Sequence, residues 1–343
     1  MDKTIIAGPC SVESREQLRE TTEALAKTGQ VSLIRAGVWK PRTRPGSFEG
    51  LGEPALRWMQ ELAAEYSVRY CCEVARPEHV ELCQQYGIQT VWLGARTTGN
   101  PFMVEEICSA LRGSGMSVLA KNPMIPDVHL WLGAIERLQA AGIADLTAVH
   151  RGFAMYNNHG YRNAPLWEVP LELRRERPDL PILCDPSHIG GQRALVAPIA
   201  LAAMQLGYDG LMIEVHPHPE TAQSDPEQQI TPDELQQLID LLSTAHRAAR
   251  NDDERLAAAL APLRQQIDDI DHEMLGLLAQ RMRLSQQIAT VKQQMQTTVY
   301  QPKRWEQVLQ DRLQIAAALG LNTDFTKELL EKIHAESVRV QLG

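Results

Sequence analysis

The apolar positions of this chain fall into two regimes. Up to about residue 245 they form short continuous runs separated by amphipathic stretches, and beyond residue 256 they recur at alternating steps of four and three. The first regime holds eight runs: Thr4–Cys10, Ser32–Gly37, Tyr70–Val74, Thr90–Ala95, Ser117–Asn122, Leu146–Arg151, Pro181–Asp185 and Gly210–His216. Between them, stretches such as Arg15–Lys27, Glu53–Tyr66, Pro77–Tyr86, Val104–Arg112, His129–Ala141 and Arg193–Leu206 carry an apolar stripe at helical spacing. A short apolar run bounded by turn residues is the pattern of a strand buried on both faces. Strand and helix alternating at roughly thirty-residue intervals predict parallel strands joined by helical crossovers, an α/β fold closed as a (β/α)8 TIM barrel.

In the second regime, Leu256, Leu260, Leu263, Ile267, Ile270, Met274, Leu277, Leu284, Ile288, Val291 and Met295 make one long seam. A seam of this length needs a partner helix, most simply from a second copy of the chain. Pro302 suits the start of a second helix and Gly320 its end, and Asn322, Thr323 and Asp324 suit the cap of a third running to about Val340. The expected organisation is a barrel over 1–245, a polar, Ala-rich linker over 246–256 and an all-α domain over 257–343. Arg281 takes an apolar slot in the seam. A cation there is costly unless it sets register or meets an anion. Lys292, eleven residues on, lies about 20° away on the same helical face. Arg264, seventeen residues back, lies about 100° off that face and would reach such a site only in a partner. Two cations within one bundle suggest a buried pocket for a dianion.

Composition narrows the classes. The net charge of −9 with no basic tail argues against a nucleic-acid partner. There is no apolar run long enough to span a membrane, and the start, M-D-K-T-I-I-A-G-P-C, turns polar too soon for a signal peptide. Six scattered cysteines read as reduced thiols, which points to the cytoplasm.

Chemistry collects where the predicted strands end, the face on which barrel enzymes build their sites. Cys10, His188, Glu214 and Asp225 follow the first, seventh and eighth runs and are good ligands for a first-row divalent metal. The other ends carry Arg35, Lys40, Arg42, Thr43, Arg44, Glu73, Arg96, Lys121, His150 and Arg151. Four of these strand ends carry cations, at one rim of an acidic protein, which suits a small phosphorylated substrate with several anionic groups. A metal beside it would act as a Lewis acid or activate water.

G-P-C-S, K-P-R-T, G-A-R-T-T, A-K-N-P, H-R-G, D-P-S-H and I-E-V-H-P, in this order over about residues 3–245, resemble the 3-deoxy-D-arabino-heptulosonate 7-phosphate (DAHP) synthases of the type I-beta group. The resemblance implies condensation of phosphoenolpyruvate with erythrose 4-phosphate. By it, Cys10, His188, Glu214 and Asp225 would bind one divalent metal (manganese, iron, cobalt or zinc). Arg35, Lys40, Arg96, Lys121 and Arg151 would hold phosphoenolpyruvate, with Lys40 also catalytic. Pro41, Arg42, Thr43 and Asp185 would receive erythrose 4-phosphate, and Glu73 would orient the water that adds to C2. The sister enzyme acting on arabinose 5-phosphate carries a different loop at Lys40–Thr43. The chain begins at the first strand, so feedback control is expected from elsewhere.

Residues 256–343 resemble the all-helical chorismate mutases, intertwined dimers that rearrange chorismate to prephenate. Their motif residues fall on Arg264, Arg281, Lys292, Arg304, Ser337 and Gln341, of which Arg281, Lys292 and Gln341 would be catalytic. In V-Y-Q-P-K-R-W-E the family's common acidic residue is replaced by Gln301, and Trp305 stands where a Glu usually meets the substrate hydroxyl. Together the halves imply a bifunctional enzyme of aromatic amino-acid synthesis, a homodimer or higher, with chorismate or prephenate binding lowering the synthase rate. The competing reading is a monofunctional synthase with a non-catalytic helical sensor or dimerisation tail.

Overall fold

The computed structural model describes residues 3–40, 46, 48–156, 158, 160–249 and 253–342. The chain divides into two compact units, Met1–Ala248 and Ala249–Gly343. In the first, eight strands follow the expected runs: β1 (Thr4–Gly8), β2 (Leu33–Arg35), β3 (Tyr70–Val74), β4 (Thr90–Leu93), β5 (Ser117–Lys121), β6 (Leu146–His150), β7 (Ile182–Cys184) and β8 (Gly210–Glu214). All pair in parallel with their sequence neighbours, and β1 pairs with β8 to close the barrel.

The crossover helices form where local chemistry agrees with the apolar stripe. Ser14, Asn100 and Asp127 cap three of them by accepting backbone N–H groups, and Pro opens the helices at Pro77 and Pro101. Trp92 on β4 and Trp131 on the helix Val128–Ala140 are fully buried in one continuous apolar core. Truncating a ring of that size in such a core costs about 3–5 kcal/mol.

Register sets what meets at the rim. Gly8 pairs with Glu214, so Cys10, two residues further, stands beside the end of β8. His150 pairs with Cys184, which brings Arg151 and Asp185 out together. Among the described residues no helix is long and apolar enough to cross a membrane.

The second unit is three helices, Asp253–Gln294, Pro302–Ala318 and Thr323–Leu342. Asn322 caps the third by accepting the Phe325 N–H at 2.9 Å, and Gly320 follows the second at φ 74. The expected linker is largely helical backbone: the barrel's last helix runs to Ala249 and the next begins at Asp253. Among the described residues of this unit Ala316 is the only buried hydrophobic, while the seam from Leu256 to Met295 holds apolar side chains between 48% and 76% exposed, such as Met274 and Met295. Three helices with this little core do not bury enough surface to stand alone.

Candidate active sites of the two units

At the C-terminal ends of the strands lies a cavity of about 390 Å³, lined among others by Lys40, Glu73, Arg96, Lys121, Arg151, Arg162, His188 and Asp225. Two glycines make room for its charged walls. A Cβ on Gly37 would meet Lys40 Cε at 2.9 Å, and one on Gly94 would meet Glu73 Oε1 at 2.0 Å. Glu73 Oε2 accepts from Trp92 Nε1 at 3.2 Å, which fixes the carboxylate at the wall.

D-P-S-H is a single helical turn, Pro186–Gly190, opened by Pro186 and capped by Asp185. Asp185 Oδ1 accepts the His188 N–H at 3.0 Å while Oδ2 stands 2.8 Å from His188 Nδ1, so one carboxylate places the backbone and the ring. His188 Nε2 then lies 3.7 Å from Glu214 Oε1. Ser187 Oγ accepts the Glu214 N–H at 3.0 Å, tying the turn to the end of β8.

Asp185 is fully buried and is not among the residues lining the cavity. Its carboxylate accepts from Lys121 Nζ at 2.7 Å and lies 3.8 Å from Arg35 Nη1. Burial alone would raise its pKa, but His188, Lys121 and Arg35 hold it well below the usual carboxylate range. Arg35, 1% exposed, donates to Glu214 Oε1 at 2.9 Å and packs 5.2 Å from the Trp92 ring centroid. Its Nε and Nη1 have no hydrogen-bond partner among the described residues. Burial lowers Lys121 and brings Arg151 down to about 10, still cationic at neutral pH.

Cys10, Glu214 and Asp225 offer ligand atoms that all lie within 4.8 Å of one another. Cys10 Sγ is 3.2 Å from Asp225 Oδ2 and 3.0 Å from Lys40 Nζ. Burial, then Glu214, pushes the thiol up to about 12. A divalent cation would draw that proton off. A thiolate, two carboxylates and a nearby imidazole fit manganese, iron, cobalt or zinc. His188 stands slightly apart from the three. Burial pulls Lys40 down, but Cys10 and Glu214 more than offset it and its pKa is raised.

Pro41, Arg42 and Thr43 lie outside the described residues. Arg162, Asn163, Gln228 and Gln229 were not singled out by the sequence, yet Arg162 and Asn163 line the cavity and the two glutamines stand behind it. They sit in loops well past the strand ends, where neither apolar runs nor motif spacing gives a signal.

In the helical unit, Arg281 and Lys292 on the long helix meet Ser337 and Gln341 on the last. Arg281 Nη1 donates to Ser337 Oγ, and Lys292 Nζ donates to Gln341 Oε1 at 3.2 Å. Burial, then Arg312, lowers Arg281. Arg264 and Arg304 are exposed, and among the described residues no hydrogen bond or ion pair joins them to this cluster. Trp305 stacks on His334, with centroids 3.9 Å apart and planes within 9°.

A (β/α)8 barrel with a cationic cavity and a cluster of metal-capable groups at one rim is the architecture of an enzyme acting on small anionic metabolites. Residues 1–250 match the DAHP synthetase I family, and the chain belongs to that family. Residues 263–342 match chorismate mutase type II. The chain is 35% identical over 236 residues to the phospho-2-dehydro-3-deoxyheptonate aldolase of Thermotoga maritima, covering 69% of this chain and 68% of that protein. It is 27% identical to the 2-dehydro-3-deoxyphosphooctonate aldolase of Desulfotalea psychrophila, over 68% of this chain and 86% of the relative. The crystal structure of the Thermotoga maritima DAHP synthase superposes with a TM-score of 0.65 at 33% identity, covering 72% of this chain and 70% of that one. A truncated form of the Thermotoga enzyme gives 0.62 at 30% identity, over 72% and 87%. A DAHP synthase domain joined to a chorismate mutase domain makes a bifunctional shikimate-pathway enzyme.

Proposed function

We propose that the barrel joins phosphoenolpyruvate to erythrose 4-phosphate and that the helical unit rearranges chorismate to prephenate. The observation that carries the first half is the meeting of Arg35, Lys40, Arg96, Lys121 and Arg151 with Cys10, Glu214 and Asp225 at one rim. Arg96, Lys121 and Arg151 at the cavity wall, the last two held rigid by burial, clamp the phosphate and carboxylate of phosphoenolpyruvate and orient its C3, and Arg35 adds positive charge from beneath. Lys40, a cation beside the ligand cluster, faces the aldehyde end of the second substrate. When bound at Cys10, Glu214, Asp225 and His188, a divalent ion would supply Lewis acidity to the aldehyde carbonyl. The C3–aldehyde bond forms, water positioned by Glu73 adds to C2, and phosphate leaves. Asp185 acts from beneath, fixing Lys121, Arg35 and His188.

The mutase needs no nucleophile, only a cationic pocket that holds the compact conformer and stabilises charge at the breaking ether oxygen. Arg281, Lys292, Ser337 and Gln341 form that pocket, and Arg264 enters it from a second copy. The exposed seam supports the homodimer, since it leaves this unit almost without a core of its own. Six free buried cysteines accord with a cytoplasmic setting.

The test is two assays on the full-length protein. Phosphate release from phosphoenolpyruvate should need erythrose 4-phosphate and vanish with a strong chelator. Chorismate should disappear with wild type and not with Arg281→Ala. Phosphate release that survives complete metal removal would refute the barrel reading, and unchanged turnover in Arg281→Ala would refute the pocket.

A further inference from the structure

Behind the three candidate ligands lies a hydrogen-bond frame built on two adjacent glutamines. Gln228 and Gln229 are 1% and 0% exposed, and every polar atom of both side chains is directed at the ligand cluster or its neighbours. Gln228 Nε2 donates to Glu214 Oε2 at 2.6 Å. Gln228 Oε1 accepts from Arg162 Nη1, which also donates to Asp225 Oδ1 at 2.9 Å. Gln229 Oε1 accepts the Cys10 N–H at 2.9 Å, and its Nε2 donates to the carbonyl of Ser224, one residue before Asp225, at 2.8 Å. Two consecutive side chains and one arginine thus reach Cys10, Glu214 and Asp225.

The frame is anchored. Ile230 N–H donates to the Glu214 carbonyl at 3.0 Å and His216 N–H to the Ile230 carbonyl at 3.0 Å, which extends β8 into the glutamine segment. Arg193 Nε donates to the Gln229 carbonyl at 3.0 Å. The frame also holds a conformation the chain would not adopt freely: Asp225 sits at φ 50, in the left-handed region that a non-glycine residue enters at a cost.

We propose that Gln228, Gln229 and Arg162 are positioning residues that hold the Cys10–Glu214–Asp225 cluster assembled before a metal arrives and thereby set its metal affinity. This rests on the metal reading of the cluster. Ligating carboxylates and their hydrogen-bonding supports act together, and loss of one support weakens metal binding by about 10–100-fold in comparable sites.

The experiment titrates the metal-free full-length protein with Co²⁺ against a competing chelator. It follows affinity and the thiolate-to-cobalt charge-transfer absorption, with chorismate turnover and the unfolding midpoint of the metal-free protein as folding controls. In wild type the absorption should appear and be lost in Cys10→Ser. Absence of any Cys10-dependent absorption in wild type would sink the metal reading itself. Gln228→Met should weaken Co²⁺ binding about 10–100-fold with the absorption kept, since it supports a carboxylate. Gln229→Met should weaken it similarly and also shift the absorption, since it holds the Cys10 backbone. Arg162→Met is the sharpest variant, because this side chain is 46% exposed and its loss spares the core. Acting only through charge, removal of a cation beside Asp225 would raise Co²⁺ affinity; acting as a positioning group, its removal lowers it. A rise with Arg162→Met, or Gln variants with normal unfolding midpoints that bind within threefold of wild type, would overturn the proposal.

Discussion

Replacing Asp185 with Asn separates charge from shape at the floor of the cavity. Asn keeps the cap, because its side-chain oxygen still accepts the His188 N–H, and Asn and Asp are equivalent caps. What it loses is the negative charge that faces Lys121 Nζ at 2.7 Å and Arg35 Nη1 at 3.8 Å, both side chains nearly or fully buried. Removing one partner of a buried ionic cluster costs about 3–5 kcal/mol, because the cations left behind are neither solvated nor paired. Arg35 retains Glu214, so the deficit falls mainly on Lys121. Asp185→Ala should cost about 1 kcal/mol more, the value of the cap. Lys121 is already lowered by burial, and without Asp185 it falls further. A lysine whose folded pKa lies below its unfolded value binds fewer protons folded than unfolded, so stability rises with pH. The Asn variant's deficit is therefore largest from about pH 4 to neutrality; it shrinks as pH climbs toward the unfolded lysine value near 10.4, and also in acid, where the wild type itself loses the stability that the depressed Asp185 carboxylate supplies. Urea unfolding followed by tryptophan fluorescence measures this, since five of the six tryptophans (39, 58, 92, 131 and 167) lie in the barrel. A loss under about 1 kcal/mol for Asn at neutral pH, or a deficit that grows from neutral to alkaline pH, would falsify the view that paired charge holds this floor together.

Further outcomes follow from other parts of the molecule. His150 is fully buried, bonded through Nδ1 to Tyr208 Oη at 2.9 Å, and burial lowers its pKa to about 3. The unfolded chain takes up that proton near pH 6.5, so up to about 5 kcal/mol of stability is lost as pH falls from 6.5 toward 3; urea midpoints in that window should slope less in His150→Gln. Lys292→Met should lower chorismate turnover by at least 100-fold, read as ΔΔG‡ from kcat/KM, because it removes a cation aimed at the breaking bond. Dilution should dissociate and unfold the helical unit together, and sedimentation showing a folded monomer would contradict the exposed seam. Saturating prephenate should slow phosphate release by the barrel, and unchanged kinetics would remove feedback from the picture.

The strands were legible because burial on both faces writes them as apolar runs, and all eight start within one residue of the run that announced them. The rim cations, Cys10 and Glu214 were legible because they sit at or within a few residues of strand ends, where topology fixes their height, whereas Asp225, eleven residues past β8, was legible only through its motif. Asp185 was legible as a residue at a strand end, but nothing in D-P-S-H shows that its carboxylate accepts from Lys121. Arg162, Gln228 and Gln229 were invisible because loop geometry, set by long-range hydrogen bonds, leaves no period to read. Trp305 read as a departure from a pattern, and only the packing reveals His334 stacked against it.

The ionic floor beneath the cavity carries an evolutionary consequence. A cluster of Arg35, Lys121 and Asp185 is poorly justified by stability alone, since well-packed apolar residues of similar volume often hold a protein interior as well or better. A lineage released from selection for the synthase reaction would therefore drift toward hydrocarbon at these three positions and gain thermal resistance as it lost turnover. Barrels of this architecture in which the three positions are jointly apolar would mark where catalysis was abandoned while the scaffold was kept.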